Sequence, residues 1–311
     1  MSFLNLLILA TEVTESMVRR WWGFVVACGL IFVMAINSSV YAMGQSCVTL
    51  GDNLSPGQRQ QMLNYFGVTS STVTVITVNN QEEHQLLGGI APSYQIGTRS
   101  ISSSYVVPES LGYGIRVATY NITWVTPAMY ANALATAGVK NARVVAAAPF
   151  GVSGTAALAG ILIAYQKARG VQLSPQRTRT AAREMVVTGN LGDAIHNKQK
   201  AAELILLVKQ EVVHQDLKSP QQIRSVVIEM ANRLNIRLTS PQINQITDLM
   251  VQLGTLSISY QSFSRQLSGI EQDLRANQPF WTQLLAWWNN LWQRIFGLIH
   301  VSWIDLKQIF A

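Results

Sequence analysis

The chain has 311 residues, 49% of them hydrophobic and 13% charged, with 23 Lys and Arg against 16 Asp and Glu for a net charge of +7. That size and apolar content exclude an intrinsically disordered chain and fit one or two packed domains. Two cysteines exclude a disulfide framework, and four histidines, none three or four residues from another, exclude a paired-histidine zinc site.

The N-terminal region reads as an export signal. Met17-Val18-Arg19-Arg20 supplies a positive n-region, Trp21 to Ile36 an uncharged apolar run, and Val40-Tyr41-Ala42 a small-residue cleavage site. The apolar run is shorter than the roughly 20 residues a spanning helix needs, which favours a cleaved signal over a permanent anchor. Glu12 and Glu15 fit no n-region, so residues 1–42 are expected as a signal peptide with an N-terminal extension and a true start at Met17. Cleavage would remove two acids and two arginines, leaving the mature chain at +7. Outside the cytoplasm such a charge points to an anionic envelope polymer or a membrane surface and away from nucleic acid; aiding solubility is its other use. Cys47 is then the one cysteine of the mature chain and is expected to serve as a small apolar residue.

Residues 43–170 read as an α/β domain. Leu54-Ser55-Pro56 opens a helix that Gly67 stops, and Val73 to Val78 is a strand. Asn80 is placed to cap a short helix ending at Gly88-Gly89. Strands are expected over Thr98 to Val107, Ile115 to Val125 and Ala142 to Ala148, with a helix over Ala128 to Ala137 between the last two. The order β-α-β-β-α-β after an initial helix predicts a ferredoxin-like α+β sheet, with Tyr113 in the turn joining the central strand pair. An apolar helix over about Thr155 to Ala168 closes the domain.

Residues 171–277 read as a helical bundle. The start signal recurs at Ser174-Pro175-Gln176, Ser219-Pro220-Gln221 and Ser240-Pro241-Gln242. Ile223, Val226, Val227 and Met230, then Ile243, Ile246, Leu249, Met250 and Leu253, mark the apolar faces of two helices. Lys167, Arg169, Arg177, Arg179 and Arg183 form a basic span with no acid before Glu184. It suits either an acidic ligand or a solvated linker.

Residues 278–311 read as a Trp-rich amphipathic tail, holding five of the eight tryptophans. Trp281, Trp288, Trp292, Ile295 and Ile299 share its apolar stripe, while Gln283, Asn289, Asn290 and Gln293 fall opposite. Buried amides disfavour a spanning helix, which leaves a membrane interface, a protein partner or the protein's own core.

Catalytic patterns are missing: no HExxH, CxxC, Walker loop or GxSxG occurs, and no cofactor or metal is implied. Glu82-Glu83-His84 reads as a solvated first helical turn, its carboxylates at the positive helix end. Ser153, Gly154 and Thr155 precede a helix and leave backbone N–H groups open to an anion, with Arg99 on a polar strand as a further cation; ordinary capping explains the same residues.

Val48-Thr-Leu-Gly51, Gln81-Glu-Glu-His84, Ile96-Gly-Thr-Arg-Ser-Ile-Ser-Ser-Ser104, Ala148-Pro-Phe-Gly-Val-Ser-Gly-Thr-Ala156 and Ile243-Asn-Gln-Ile-Thr-Asp-Leu-Met250 together resemble the YpuA-like family, domain of unknown function 1002. The resemblance runs from about Val48 to Leu274 and leaves the tail outside. It implies a secreted or envelope protein of a Gram-positive bacterium and offers no catalytic residues. The expectation is therefore a non-enzymatic, envelope-associated protein that binds a partner, a wall polymer or a membrane surface. Two rivals stand beside it. One is an enzyme on envelope material, which would need Glu82, His84, Arg99 and Ser153 to converge. The other is a homo-oligomer pairing through open sheet edges.

Overall fold

A computed structural model of the protein describes residues 45–266. The expected signal at 1–42 and the Trp-rich helix at 278–311, with Trp281, Trp288, Trp292, Ile295 and Ile299, lie outside the described residues. The chain enters through a strand that the sequence pattern does not announce, β1 (Cys47–Gly51), buried at all five positions. A strand covered on both faces lacks the alternation by which a half-exposed one is read.

Ser55 and Pro56 start α1 (Pro56–Phe66) as expected: Ser55 and Gln58 form a reciprocal capping box, and Gly67 at φ +69° closes the helix. β2 (Thr74–Val78) comes next, and Asn79, one residue earlier than expected, caps α2 (Asn80–Leu87). A single turn, α3 (Ser93–Ile96), leads into β3 (Ser103–Pro108), β4 (Ile115–Ile122), α4 (Pro127–Ala137), β5 (Ala142–Val152) and α5 (Ala157–Arg169).

The five strands form one mixed sheet in the order β2-β1-β3-β5-β4. β1 runs parallel to β2 and β4 parallel to β5, while β3 is antiparallel to both β1 and β5. The fold is α+β, but the ferredoxin-like order is not the one found. The unread strand is one reason, and the place of β5 is the other. β1 takes the place between β2 and β3, and β5 lies between β3 and β4, so the expected central hairpin around Tyr113 does not form.

Alternation along the strands sorts the two sheet faces. Cys47, Val106, Val144 and Ala146 join one core with α4 and α5; Val48, Leu50 and Ala147 join another with Met62 and Leu63 of α1. Helix α5 lies close to the sheet because residue 160 is glycine: a Cβ there would come within 2.7 Å of Thr49 Oγ1.

Beyond α5 the described chain forms α6 (Pro175–Ala194), α7 (Lys198–His214), α8 (Pro220–Arg233) and α9 (Ser240–Gly254). Proline opens α6, α8 and α9, as the repeated Ser-Pro-Gln predicts. The capping differs in detail: Thr239 rather than Ser240 caps α9, and the Ser174 and Ser219 side chains bond no helix amide. Ile223, Val226, Val227, Met230, Ile246, Leu249, Met250 and Leu253 are buried in one cluster, as their spacing predicts, and Ile243 is partly buried against it.

The sheet-side core continues into these helices, taking in Met185 and Val186 of α6, Ala202 and Leu206 of α7, and Phe263. Helix α4 is buried from Ala128 through Ala137 and lies against β4, α6 and α7. Among the described residues no helix is long and apolar enough to cross a membrane.

Candidate functional site

The ends of β4 and β5 carry an irregularity that opens a cleft. The register slips between Tyr120 and Ile122, where Asn121 takes φ +56° and its side-chain amide donates to the Ala148 carbonyl at 3.0 Å. Such a bulge bends a strand and re-aims the residues after it. Beyond it, the backbone N–H groups of Thr123, Trp124 and Val125 bond to Val152 and Ser153 carbonyls, and Thr126 caps α4 through Met129 N. Trp124 is thereby fixed at the sheet end.

The cleft has a volume of about 450 Å³ and is lined by Tyr94 and Gln95 from α3, Thr123 and Trp124, Gly151 to Ser153, and Asn190 and Asp193 from α6. Tyr94 is 83% exposed at its rim. The Trp124 indole donates to Asp193 Oδ2 at 2.6 Å, and the Lys198 ammonium lies 4.8 Å from the ring centroid. Lys198 also pairs with Asp193 Oδ1 at 3.2 Å and donates to the Trp124 carbonyl at 2.9 Å. Cation–π attraction and two charge-assisted bonds therefore hold one ring in one pose. Gly189 completes the seat, since a Cβ there would overlap the ring.

Gln95 gives its amide N–H to Asn190 Oδ1 at 3.3 Å, while its Oε1 is buried with no donor among the described residues. An orphaned buried acceptor costs about 1–3 kcal/mol. The cleft thus combines aromatic surface with amide, hydroxyl and carboxylate groups.

Of the residues singled out from sequence, only Ser153 lines this cleft, where its hydroxyl donates to the Gln95 carbonyl at 3.1 Å. Gly154, at φ +87°, has its carbonyl bonded by the Tyr130 hydroxyl. Thr155 is buried, its hydroxyl without a partner among the described residues. The N–H groups of Ala157, Leu158 and Ala159 at the start of α5 are engaged by carbonyls three residues back, which leaves them unavailable to an anion. Arg99 is not brought to Ser153; it reaches the Asn53 carbonyl at 3.5 Å.

The four residues of the enzyme reading do not converge. Glu82 accepts from Asn79 N, His84 Nε2 lies 3.2 Å from the Gly97 carbonyl, and Arg99 and Ser153 bond as just described. Among the described residues no group of three His, Cys, Asp or Glu is placed to hold a metal ion. Cys47 is fully buried, and burial pushes its thiol up to about 11, so it stays protonated as a small core residue.

Comparison with known sequences agrees with the motifs. The model of a family described as "Protein of unknown function (DUF1002)" matches residues 50–270. The chain belongs to the DUF1002 family. It is 38% identical over 253 residues, 81% of this chain and 87% of the other, to "Uncharacterized protein YpuA" of Bacillus subtilis (strain 168). No solved structure matches.

A second feature of this DUF1002 chain escapes sequence reasoning. Glu83 is not solvated but 1% exposed, accepting from Ser100 Oγ at 2.6 Å and Asn80 Nδ2 at 3.0 Å. It shares a helical face with Leu87, four residues on, which is the signal that would have found it. Burial raises its pKa above the usual carboxylate range, and the two hydrogen bonds oppose that only in part.

A carboxyl raised on folding contributes stability that is full below its unfolded pKa and is lost as pH rises through the folded value. Glu83→Gln, which stays neutral, is therefore expected to unfold at higher urea than the native chain at about pH 7 and to narrow the difference at about pH 4. Urea midpoints at both pH values check this, and an equal shift at both contradicts it.

Proposed function

We propose that the protein is exported and binds a glycan-type polymer of the cell envelope through the Tyr94–Trp124 cleft, without catalysing a reaction. The observation that carries the reading is the lining of that cleft: the exposed aromatic ring of α3, a second ring held rigid by Asp193 and Lys198, and otherwise polar groups suited to hydroxyls. A sugar ring presents an apolar C–H face to an aromatic plane and a rim of hydroxyls to amides and carboxylates. Gln95 supports the same reading, because its orphaned Oε1 gains a donor by turning towards a ligand hydroxyl.

Export rests on the signal pattern at residues 17–42, and the +7 charge favours an envelope rich in anionic polymer. The Trp-rich segment after Asn277 serves as a tether, its indoles at the headgroup level of a membrane.

Sedimentation with insoluble wall glycan tests the cleft. The full chain is expected in the pellet, and Tyr94→Ala, a change at an exposed rim, is expected to weaken binding by about tenfold or more, as loss of an aromatic anchor does. Failure of the native chain to pellet, or equal binding by the variant, ends the reading.

Liposome co-sedimentation tests the tether separately. A chain ending at Asn277 is expected to stay in the supernatant while the full chain pellets with anionic vesicles. If both pellet alike, the tail is no tether.

A further inference from the structure

We propose that a recess between the end of α4, the start of α6 and residues 257–266 is a binding site for a phosphate group. It is distinct from the cleft and has a volume of about 140 Å³, under half of what a drug-sized ligand occupies and suited to a small headgroup. Arg177, Lys140, Ser257, Ser259 and Ser262 line it together with Gly138, and among the described residues no carboxylate does.

The arginine is set for the task. Two of its basic neighbours are engaged by carbonyls: Arg169 bonds Glu109 and Asn141 oxygens at 2.6 and 2.8 Å, and Arg179 reaches Gln85 and Gly88 oxygens. Arg177 spends only its Nε, on the Thr136 carbonyl at 2.9 Å. That bond fixes the guanidinium plane, and among the described residues neither Nη group has an acceptor.

Gly138 permits the position. It adopts φ +95°, and a Cβ there would stand 3.2 Å from both Arg177 Cζ and Nη1, so the guanidinium lies flat against bare backbone. A half-buried cation without a counter-ion is costly, and burial accordingly lowers the Arg177 pKa.

The rest of the lining supplies donors. Among the described residues the hydroxyls of Ser257, Ser259 and Ser262 and the Lys140 ammonium make no hydrogen bond or ion pair. A planar guanidinium with two open N–H edges, one ammonium and three hydroxyls is a donor set for a tetrahedral oxyanion. A carboxylate satisfies fewer of these groups. The phosphate arrives either free or as the diester of a lipid or polymer headgroup.

Calorimetric titration of the full chain distinguishes these sources, with inorganic phosphate in one arm and glycerophosphoglycerol in the other, each against sodium chloride of equal ionic strength. Saturable heat in either arm is expected, the stronger arm naming the source. Arg177→Met is expected to weaken it at least about tenfold, the worth of a charge-assisted hydrogen bond. Because that change also removes the Thr136 bond, the Lys140→Met/Ser262→Ala double variant, which leaves that bond intact, is tested beside it and is expected to bind several-fold more weakly. Tyr94→Ala is expected to bind phosphate unchanged, so failure of the cleft reading and of this one are read separately. No saturable heat in either arm, or undiminished binding by the double variant, overturns the site.

Discussion

Lys209 of α7 and Glu184 of α6 form an ion pair from which solvent is wholly excluded, both side chains being 0% exposed. Two charges taken out of water cost several kcal/mol each, and the cost is recovered only if every remaining donor and acceptor is satisfied. Here most are. The Lys209 ammonium also donates to the Asn132 carbonyl at 2.9 Å and to Thr136 Oγ1 at 3.2 Å, and the Thr136 hydroxyl donates to the other Glu184 oxygen. The Phe263 ring lies 5.1 Å from the ammonium and closes the remaining side. Desolvation draws the Lys209 pKa below its ordinary value, and the Glu184 carboxylate pulls the other way. One acceptor, Asn132 Oδ1, is left without a partner among the described residues.

This pair is where the sheet-bearing half meets the helices. Asn132 and Thr136 belong to α4, which packs on β4, so the network ties α4 to α6 and α7 through polar bonds inside an otherwise apolar contact. Apolar packing alone tolerates sliding and repacking; a fully buried charge pair has one register. What the register fixes is α6. Near its start, α6 holds Arg177 against Gly138, and near its end it carries Gly189, Asn190 and Asp193 beneath Trp124. Sixteen residues separate Arg177 from Asp193, so a helical rise of about 1.5 Å per residue sets the recess and the cleft about 24 Å apart along one rigid element. A shift of α6 by one turn would dismantle both.

Much of the architecture was legible because its signals are local. Ser-Pro and Thr-Pro pairs mark where α1, α4, α6, α8 and α9 begin, glycine at positive φ ends α1, α4 and α5, and alternation marks β4. β1 was not legible, since five buried residues in a row carry no period, and missing it hides the strand that separates β2 from β3. The cleft was legible only at Ser153. Its other walls come from α3, the β4–α4 connection and α6, brought together by pairings such as Gln95 with Asn190 and Trp124 with Asp193 that leave no local pattern. Glu184 and Lys209 were likewise hidden: each reads as an ordinary charge, and only the absence of water around both makes them partners.

A double-mutant cycle on Lys209→Met and Glu184→Gln, monitored by urea unfolding, tests most directly whether this pair holds the protein together. Each single change strands a buried charge and is predicted to cost about 3–5 kcal/mol, with the double variant far more stable than the sum implies. Single effects that are small, or that add within about 0.5 kcal/mol, would contradict the account.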